Sequence, residues 1–403
     1  MAGPLAGLRV MDVSIIAAGP WVGALLAELG AEVIKVEPPA GDGTRWQPPQ
    51  QGGMGAVYMA MNVNKRDITL DFKDPEGYKL GLELVKISDV FVHNFRGGAM
   101  DRLGLGWDVL KEINPRLIYC AVSGFGEVGP LAKEGSQDFI VQAASGFARC
   151  NGAPGDEMEQ FRFTGFLDLA GASLAVQGIL AALMERERSG LGQKVAVSML
   201  EAALEMQATR LMEFFATGQN PRPMGSETPG IVPDRAFRAQ DIDVFVSAQT
   251  PAQWRGFCAA LDKPELAVDP RFASNPDRVK NRDALNAILE PIFATRPALW
   301  WMRVMERNGV PCSLAQHFEI NRYHAQVREN GMIAEVDTPW GHVLLGGVPW
   351  HFSKTPCEVR SAPIPGEATE QIVGELKKRI LETPQTPQGA LAVDLAQKGK
   401  VQA

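Results

Sequence analysis

An open α/β fold built on a parallel sheet is what this chain of 403 residues predicts, and three observations carry it. The first is a βαβ unit near the start. Leu8-Arg-Val-Met-Asp-Val13 reads as a strand, residues 21–29 as a helix stopped by Gly30, and Ala31-Glu-Val-Ile-Lys-Val-Glu37 as a second strand. Two strands joined through a helix run parallel, with a right-handed crossover. The second is that the alternation continues, with strand patterns at 68–71, 89–93, 117–122 and 194–198 separated by helical stretches. The third is an ordinary globular composition, 45% hydrophobic and 22% charged.

Taken in order, Ala17-Ala-Gly-Pro20 separates the first strand from its helix. Asn64-Lys-Arg66 leads into Ile68-Thr-Leu-Asp71, and a helix begins in Lys73-Asp-Pro-Glu-Gly77, where Pro75 suits a first turn. The strand at 89–93 empties into Asn94-Phe95-Arg96-Gly97-Gly98, followed by a short helical stretch that carries Arg102. The strand at 117–122 is followed by Ser123-Gly-Phe-Gly126. Ligands of open α/β sheets bind at the carboxyl ends of strands, so the loops at Ala17, Asn94 and Ser123 are the natural candidates.

Residues 169–183 are almost all apolar or small and read as a buried helix, ended by Glu185-Arg-Glu-Arg188 and a Gly190 stop. After the strand at 194–198, residues 200–215 read as one more helix. The Pro-, Gly- and Asn-rich stretch 218–234 reads as a linker. A second region follows, with a strand at 244–247 and helices at 251–261, 282–293 and 297–308. Short strands are expected within 337–348, a last helix at 368–381, and a mobile Gln-, Ala- and Lys-rich tail.

Asp168 stands alone among apolar neighbours, at or just before the start of the buried helix. One reading is an N-cap, whose carboxylate accepts orphan backbone N–H groups. The other uses the same physics: helix N–H groups and the dipole keep a carboxylate ionised, and such a group facing a cleft can act as a nucleophile.

A net charge of −7 argues against a nucleic-acid or membrane-surface protein, so any phosphate ligand needs a local basic cluster. Cysteines 120, 150, 258, 312 and 357 are odd in number and lack CxxC spacing, which fits reduced thiols in the cytoplasm and no metal site. The apolar stretch 21–29 is too short to span a bilayer. Glu37 ends the second strand, where a dinucleotide fold would hold a ribose, but no GxGxxG follows the first strand.

The chain resembles the class III CoA-transferases, the superfamily of formyl-CoA transferase and carnitine CoA-transferase, over roughly residues 3 to 380. The resemblance rests on a set in order: Pro4-Leu-Ala-Gly-Leu-Arg-Val-Met-Asp12, Ala18-Gly-Pro20, Leu29-Gly-Ala-Glu-Val-Ile-Lys-Val-Glu37, Asn64-Lys-Arg66, Leu70-Asp-Phe-Lys73, Asn94-Phe95 with Arg102, Asn114-Pro-Arg116, Asp168 with Gly171, and Gly190-Leu-Gly-Gln-Lys-Val-Ala-Val197. It implies a Rossmann-like large domain over residues 1–217, a linker and smaller α+β domain over 218–330, a segment at 331–385 returning to the large domain, and a mobile tail at 386–403. It also implies an interlocked homodimer, or a heteromer with a related chain. By the same resemblance Asp168 is the acyl acceptor, and Ala18, Leu70, Lys73, Asn94, Phe95 and Arg102 bind coenzyme A. The partners implied are an acyl-CoA thioester, used as substrate, and a carboxylic acid, with no tightly bound cofactor.

Departures from formyl-CoA transferase bear on the substrate. Its polar His and Gln are here the apolar Ile15 and Ala17, so oxalate is not expected. Pro38 replaces an arginine that meets CoA, which leaves Arg45 or Arg66 to help grip the nucleotide. Arg45, Arg66 and Arg162 are candidate partners for a free carboxylate, and succinyl-CoA is a candidate donor. An α-methylacyl-CoA racemase needs a His in Gly-His-Asp, but here the stretch is Gly135-Ser-Gln137-Asp138, and Gln137 cannot shuttle a proton. Gln137 and Asp138 are left as substrate-contacting or orienting residues.

Overall fold

In the computed structural model, which describes residues 3–382, the first βαβ unit forms as β1 (Arg9–Asp12), α1 (Ala18–Glu28) and β2 (Glu32–Glu37). A small hairpin, β3 (Gln50–Gln51) and β4 (Met54–Gly55), and α2 (Ala56–Met61) precede β5 (Arg66–Thr69). Then come α3 (Pro75–Lys86), β6 (Val90–His93), α4 (Ala99–Arg102), α5 (Trp107–Ile113) and β7 (Ile118–Ser123). They are followed by α6 (Asp138–Ala144), α7 (Phe166–Ser189), β8 (Lys194–Ser198), α8 (Met199–Met206) and α9 (Ala208–Thr217).

The six main strands pair in the order β5-β2-β1-β6-β7-β8, and every pairing is parallel. Both faces are covered. Met11, Ile34, Ile68, Phe91 and Tyr119 point to one side, against Leu84 of α3 and Leu110 of α5. Val10, Val33, Val92 and Ile118 point to the other, against Val22 of α1 and Val176 of α7. Alternate residues of the four central strands thus serve opposite cores, which is why these strands read as continuous apolar runs.

Several boundaries differ from the sequence expectation. Helix α1 starts three residues early, because Pro20 is tolerated in a first turn whose N–H groups lack intrahelical partners anyway. Strand β5 starts at Arg66, set by its pairing with β2 from Ile34↔Arg66 to Glu37↔Thr69. The single helix expected at 200–215 breaks at Gln207, whose backbone leaves the helical region and whose amide bonds Ala203 O at 2.9 Å. Helix α7 begins at Phe166, not after Asp168, and ends as expected at Gly190 in the left-handed conformation. It is the one helix among the described residues long and apolar enough to cross a membrane, and half of it is buried as a core helix packed on α1 and β7.

The chain divides into two compact units, the second made of Ala148–Glu159 and Asn220–His324. That unit holds β9 (Asp234–Arg238), β10 (Asp243–Ser247), α10 (Pro251–Ala260), α11 (Asn275–Lys280), α12 (Arg282–Phe293), α13 (Ala298–Arg307), β11 (Cys312–Leu314) and α14 (Phe318–Asn321). Its antiparallel sheet, ordered β11-β10-β9, packs on a core in which Phe237 and Phe293 stack at 4.2 Å beside Trp254, Phe257 and Trp301. Asp234, expected as the end of the linker, instead opens a strand that runs to Arg238, in which the Val244↔Phe237 pairing buries Phe237. From Ala325 the chain belongs to the first unit again, as α15 (Ala325–Glu329), the hairpin β12 (Ile333–Thr338) and β13 (Gly341–Gly346), and α16 (Thr369–Glu382). Helix α16 packs on α3 and β5. The tail expected at 386–403 lies outside the described residues.

Candidate active site

Strand order reverses between β1 and β6, so the crevice beyond their carboxyl ends is the place where a doubly wound sheet binds its ligand. Two loops meet there. Residues 13–17 follow β1, and residues 94–98 follow β6. Asn94 joins them: its Oδ1 accepts the Ile15 N–H at 2.9 Å and its Nδ2 donates to Ile15 O at 2.7 Å.

The loop after β1 is held from below as well. Asp12 accepts the Ser14 N–H at 3.0 Å and the Ser14 hydroxyl. Lys35 Nζ donates to Ser14 O at 3.0 Å and to Asp42 at 3.1 Å, and Asp42 Oδ2 accepts the Ile16 N–H at 3.2 Å. These bonds fix Ile16 at φ 69°, a left-handed conformation that costs a β-branched residue about 1–3 kcal/mol. Gly19 allows the close approach: a Cβ there would collide with Ser14 and stand 3.0 Å from Asn94 Cγ. The loop thereby delivers the N-terminus of α1, which has no side-chain cap.

Asp168 comes to that N-terminus. It is the third residue of α7, and its carboxylate lies close enough to the Ala18 backbone N–H for that donor to favour the charged form. Its Oδ2 lies over Gly165, where a Cβ would be 2.6 Å away. The cap reading of Asp168 therefore fails, since the helix already starts at Phe166. The capping is done by Asp138, from α6: its Oδ2 accepts the Leu167 N–H at 2.6 Å and the Asp168 N–H at 3.3 Å. Its other oxygen holds Gln142, whose amide in turn clamps Phe161 N at 2.8 Å and O at 2.9 Å. Asp138 thus orients the start of α7.

The expectation that helix N–H groups keep Asp168 ionised is also reversed. Burial, then the Asp138 charge, push its pKa up to about 7, and the Ala18 N–H only partly opposes them. The carboxyl is poised between its two forms near neutrality.

Ala18 and Asn94 meet at this crevice, with Phe95 next to Asn94 and half-buried against His93. Both ends of the Asn94 amide are engaged with Ile15, so its visible work is to hold the loop. Leu70 is buried and Lys73 exposed after β5, two strands from β1 on the same edge of the sheet. Arg102 is exposed at the end of α4, and neither Lys73 nor Arg102 forms an ion pair among the described residues. Gln137 is exposed just before α6.

Two arginines are ruled out as ligand partners. Arg45 is fully buried, paired with Glu37 at 2.9 Å and Asp67 at 3.2 Å, and bound to Pro363 O. Arg66 opens β5 at the amino edge of the sheet, opposite the crevice, and pairs with Glu32 at 2.8 Å. Arg162 is exposed, with its guanidinium 3.9 Å over the Phe139 ring. Asp12, Lys35, Asp42 and Lys65 are supports the sequence reading passed over. The signal was present in Lys35, a charge inside the otherwise apolar Val-Ile-Lys-Val run.

The family model described as CoA-transferase family III matches residues 5–369. The chain is 40% identical over 310 residues to an acetyl-CoA:oxalate CoA-transferase of Acetobacter aceti, covering 77% of this chain and 80% of that protein. It is 32% identical over 378 residues to the human succinyl-CoA:glutarate CoA-transferase, covering 93% of this chain and 86% of the relative. A solved CAIB/BAIF family protein from Brucella suis superposes with a TM-score of 0.85 at 35% identity, covering 93% of this chain and all of that one. CoA thioesters are the substrates of such enzymes. By the family match and these relatives, the chain belongs to CoA-transferase family III and is a class III CoA-transferase.

Proposed function

We propose that Asp168 carries CoA transfer in this chain by covalent catalysis. The carboxylate attacks the thioester carbonyl of an acyl-CoA. The C–S bond breaks, giving an acyl-aspartyl anhydride and CoA thiolate. The thiolate attacks the aspartyl carbonyl, releasing the first carboxylate and leaving aspartyl-CoA. A second carboxylate then attacks that thioester, and the returning thiolate completes the new acyl-CoA and frees Asp168. The observation that supports this best is the meeting of Asp168 with the Ala18 N–H at the strand-order reversal. Lys73 and Arg102, exposed at the same edge of the sheet, supply charge for the CoA phosphates.

Succinyl-CoA is the first donor to try, with glutarate and oxalate as acceptors. Apolar Ile15 and Ala17 spoke against oxalate, but the likeness to an acetyl-CoA:oxalate CoA-transferase puts it back on the panel. The working assembly is taken to be an interlocked homodimer. Helix α9 has no buried residue and exposes Met212 and Phe215, an apolar face that a second copy would cover. All five cysteines are free, the state kept in a reducing cytoplasm.

The test is to incubate the protein with each acyl-CoA, quench with hydroxylamine and map the product by peptide mass spectrometry. A hydroxamate on Asp168 that requires acyl-CoA is the expected result. Transfer without any adduct at Asp168 would refute the assignment.

A further inference from the structure

Gln142 is fully enclosed on the short helix α6, four residues after Asp138. That spacing puts the two side chains on one helix face. A buried amide is costly unless its polar atoms are paired, and here they are. Of the two Nε2 hydrogens, one goes to Asp138 Oδ1 and the other to Phe161 O at 2.9 Å. Oε1 accepts the Phe161 N–H at 2.8 Å.

Asp138 is itself buried, and among the described residues its charge is met by N–H donors alone. Oδ2 takes the Leu167 and Asp168 N–H groups, and Oδ1 takes the Gln142 amide. A carboxylate turns about one bond. With Oδ1 held, Oδ2 is aimed at the first turn of α7, whose N–H groups have no partner inside the helix. Without Gln142, Oδ1 has no donor among the described residues, and the carboxylate can turn away from the residue that carries the reaction.

A second route leads to the same turn. The Gln142 amide holds both backbone groups of Phe161, as a neighbouring strand would. The Phe161 ring then meets Phe166, the first residue of α7, edge-on at 5.5 Å. Gln160 fastens the same segment to α6, its Nε2 donating to Phe139 O at 2.9 Å. An apolar side chain of equal length would fill the space and make none of these bonds, so what the amide adds is direction. We propose that Gln142 is a positioning residue for acyl transfer, setting the aim of the Asp168 carboxyl through Asp138 and Phe161. The role rests on Asp168 being the acyl acceptor. Fully enclosed, Gln142 acts through these neighbours and not on the substrate.

The test is the single-turnover rate of hydroxamate formation on Asp168, taken on the high-pH plateau so that titration of the carboxyl does not enter. Q142M keeps the length and loses every hydrogen bond. Its rate at saturating acyl-CoA should fall roughly tenfold to a hundredfold, with the half-saturating acyl-CoA concentration unchanged. Two further variants decide the matter should Q142M fail to fold. In D138N, whichever way the new amide turns, one N–H group meets another, at Gln142 or at α7, and the rate should fall as well. D138N/Q142E exchanges donor and acceptor, restores the bond, and should bring the rate back to within about threefold of wild type. A merely structural Gln142 would lower the melting temperature and leave the plateau rate of the folded protein alone. Q142M acylating at the wild-type rate, a loss confined to half-saturation, D138N as fast as wild type, or D138N/Q142E no faster than D138N each overturns the proposal. A wild type that forms no hydroxamate on Asp168 would instead refute the acyl-acceptor role, so the two failures are told apart.

Discussion

Asp138 donates order and opposing charge to the same residue. Its Oδ2 accepts the Asp168 N–H at 3.3 Å, while its negative charge adds to burial in pushing the Asp168 carboxyl up to about 7. Capping places the nucleophile, and the price is a carboxyl that is only partly ionised at neutral pH.

The first consequence is a pH profile. Only the ionised form attacks, so the rate of hydroxamate formation should rise as pH climbs through about 7 and level off above it. In D138N the side-chain oxygen still accepts N–H groups but the charge is gone. The midpoint should move to lower pH, measured from single-turnover rates across a pH series. An unmoved midpoint would assign the whole elevation to burial.

Stability should run the other way. Asp168 has an ordinary carboxylate pKa in the unfolded chain and about 7 in the folded one, so the folded state holds its proton longer. Between about 4 and 7 the folded state binds more protons, and stability from this group falls as pH rises. D168N removes the term. The variant should be inactive yet melt higher than wild type by roughly a few °C at pH 8, with the gap closing toward pH 4. Differential scanning calorimetry at several pH values checks it.

How much of this was readable beforehand depends on the kind of interaction. Strands β1, β2, β6 and β7 are legible because both faces are buried, so hydrophobic runs map directly onto them, while β8 at the edge shows instead an alternation of half-buried Val195 and Val197 with exposed Lys194 and Ala196. The place of Asp168 was legible only to within a turn. The residue that caps α7 lies 29 positions upstream of the bonded Leu167, and no local pattern reports such a bond. Arg45 and Arg66 looked like free cations because sequence does not show that Glu37, Asp67 and Glu32 neutralise them. The left-handed Ile16 carries no signal, since it is imposed by Asn94, Asp42 and Lys35 from three other segments.

That imposed loop gives a third expectation. N94A removes both bonds to Ile15 and should cost about 1–3 kcal/mol of stability in urea denaturation. With the restraint gone, Ile16 relaxes toward negative φ and the Ala18 N–H leaves Asp168. Single-turnover acylation at saturating acyl-CoA should therefore fall, beyond any change in KM. A loss confined to KM would mean that Asn94 touches only the CoA.

The last expectation concerns the buried ions beneath the loop. Lys65 is fully enclosed, with its ammonium 2.8 Å from both Asp12 and Pro20 O and 2.9 Å from Asn62. Burial pulls its pKa down to about 8, with Asp12 holding it up against that pull. K65M leaves Asp12 charged and unpaired, and removing one partner of a buried pair costs about 3–5 kcal/mol. The double variant D12N/K65M removes both charges and should recover much of that loss in chemical denaturation. Its activity should stay low all the same. Lys65 also donates to Pro20 O in the first turn of α1, at 2.8 Å, and a methionine cannot, so the stretch that presents Ala18 would loosen even in a stable protein.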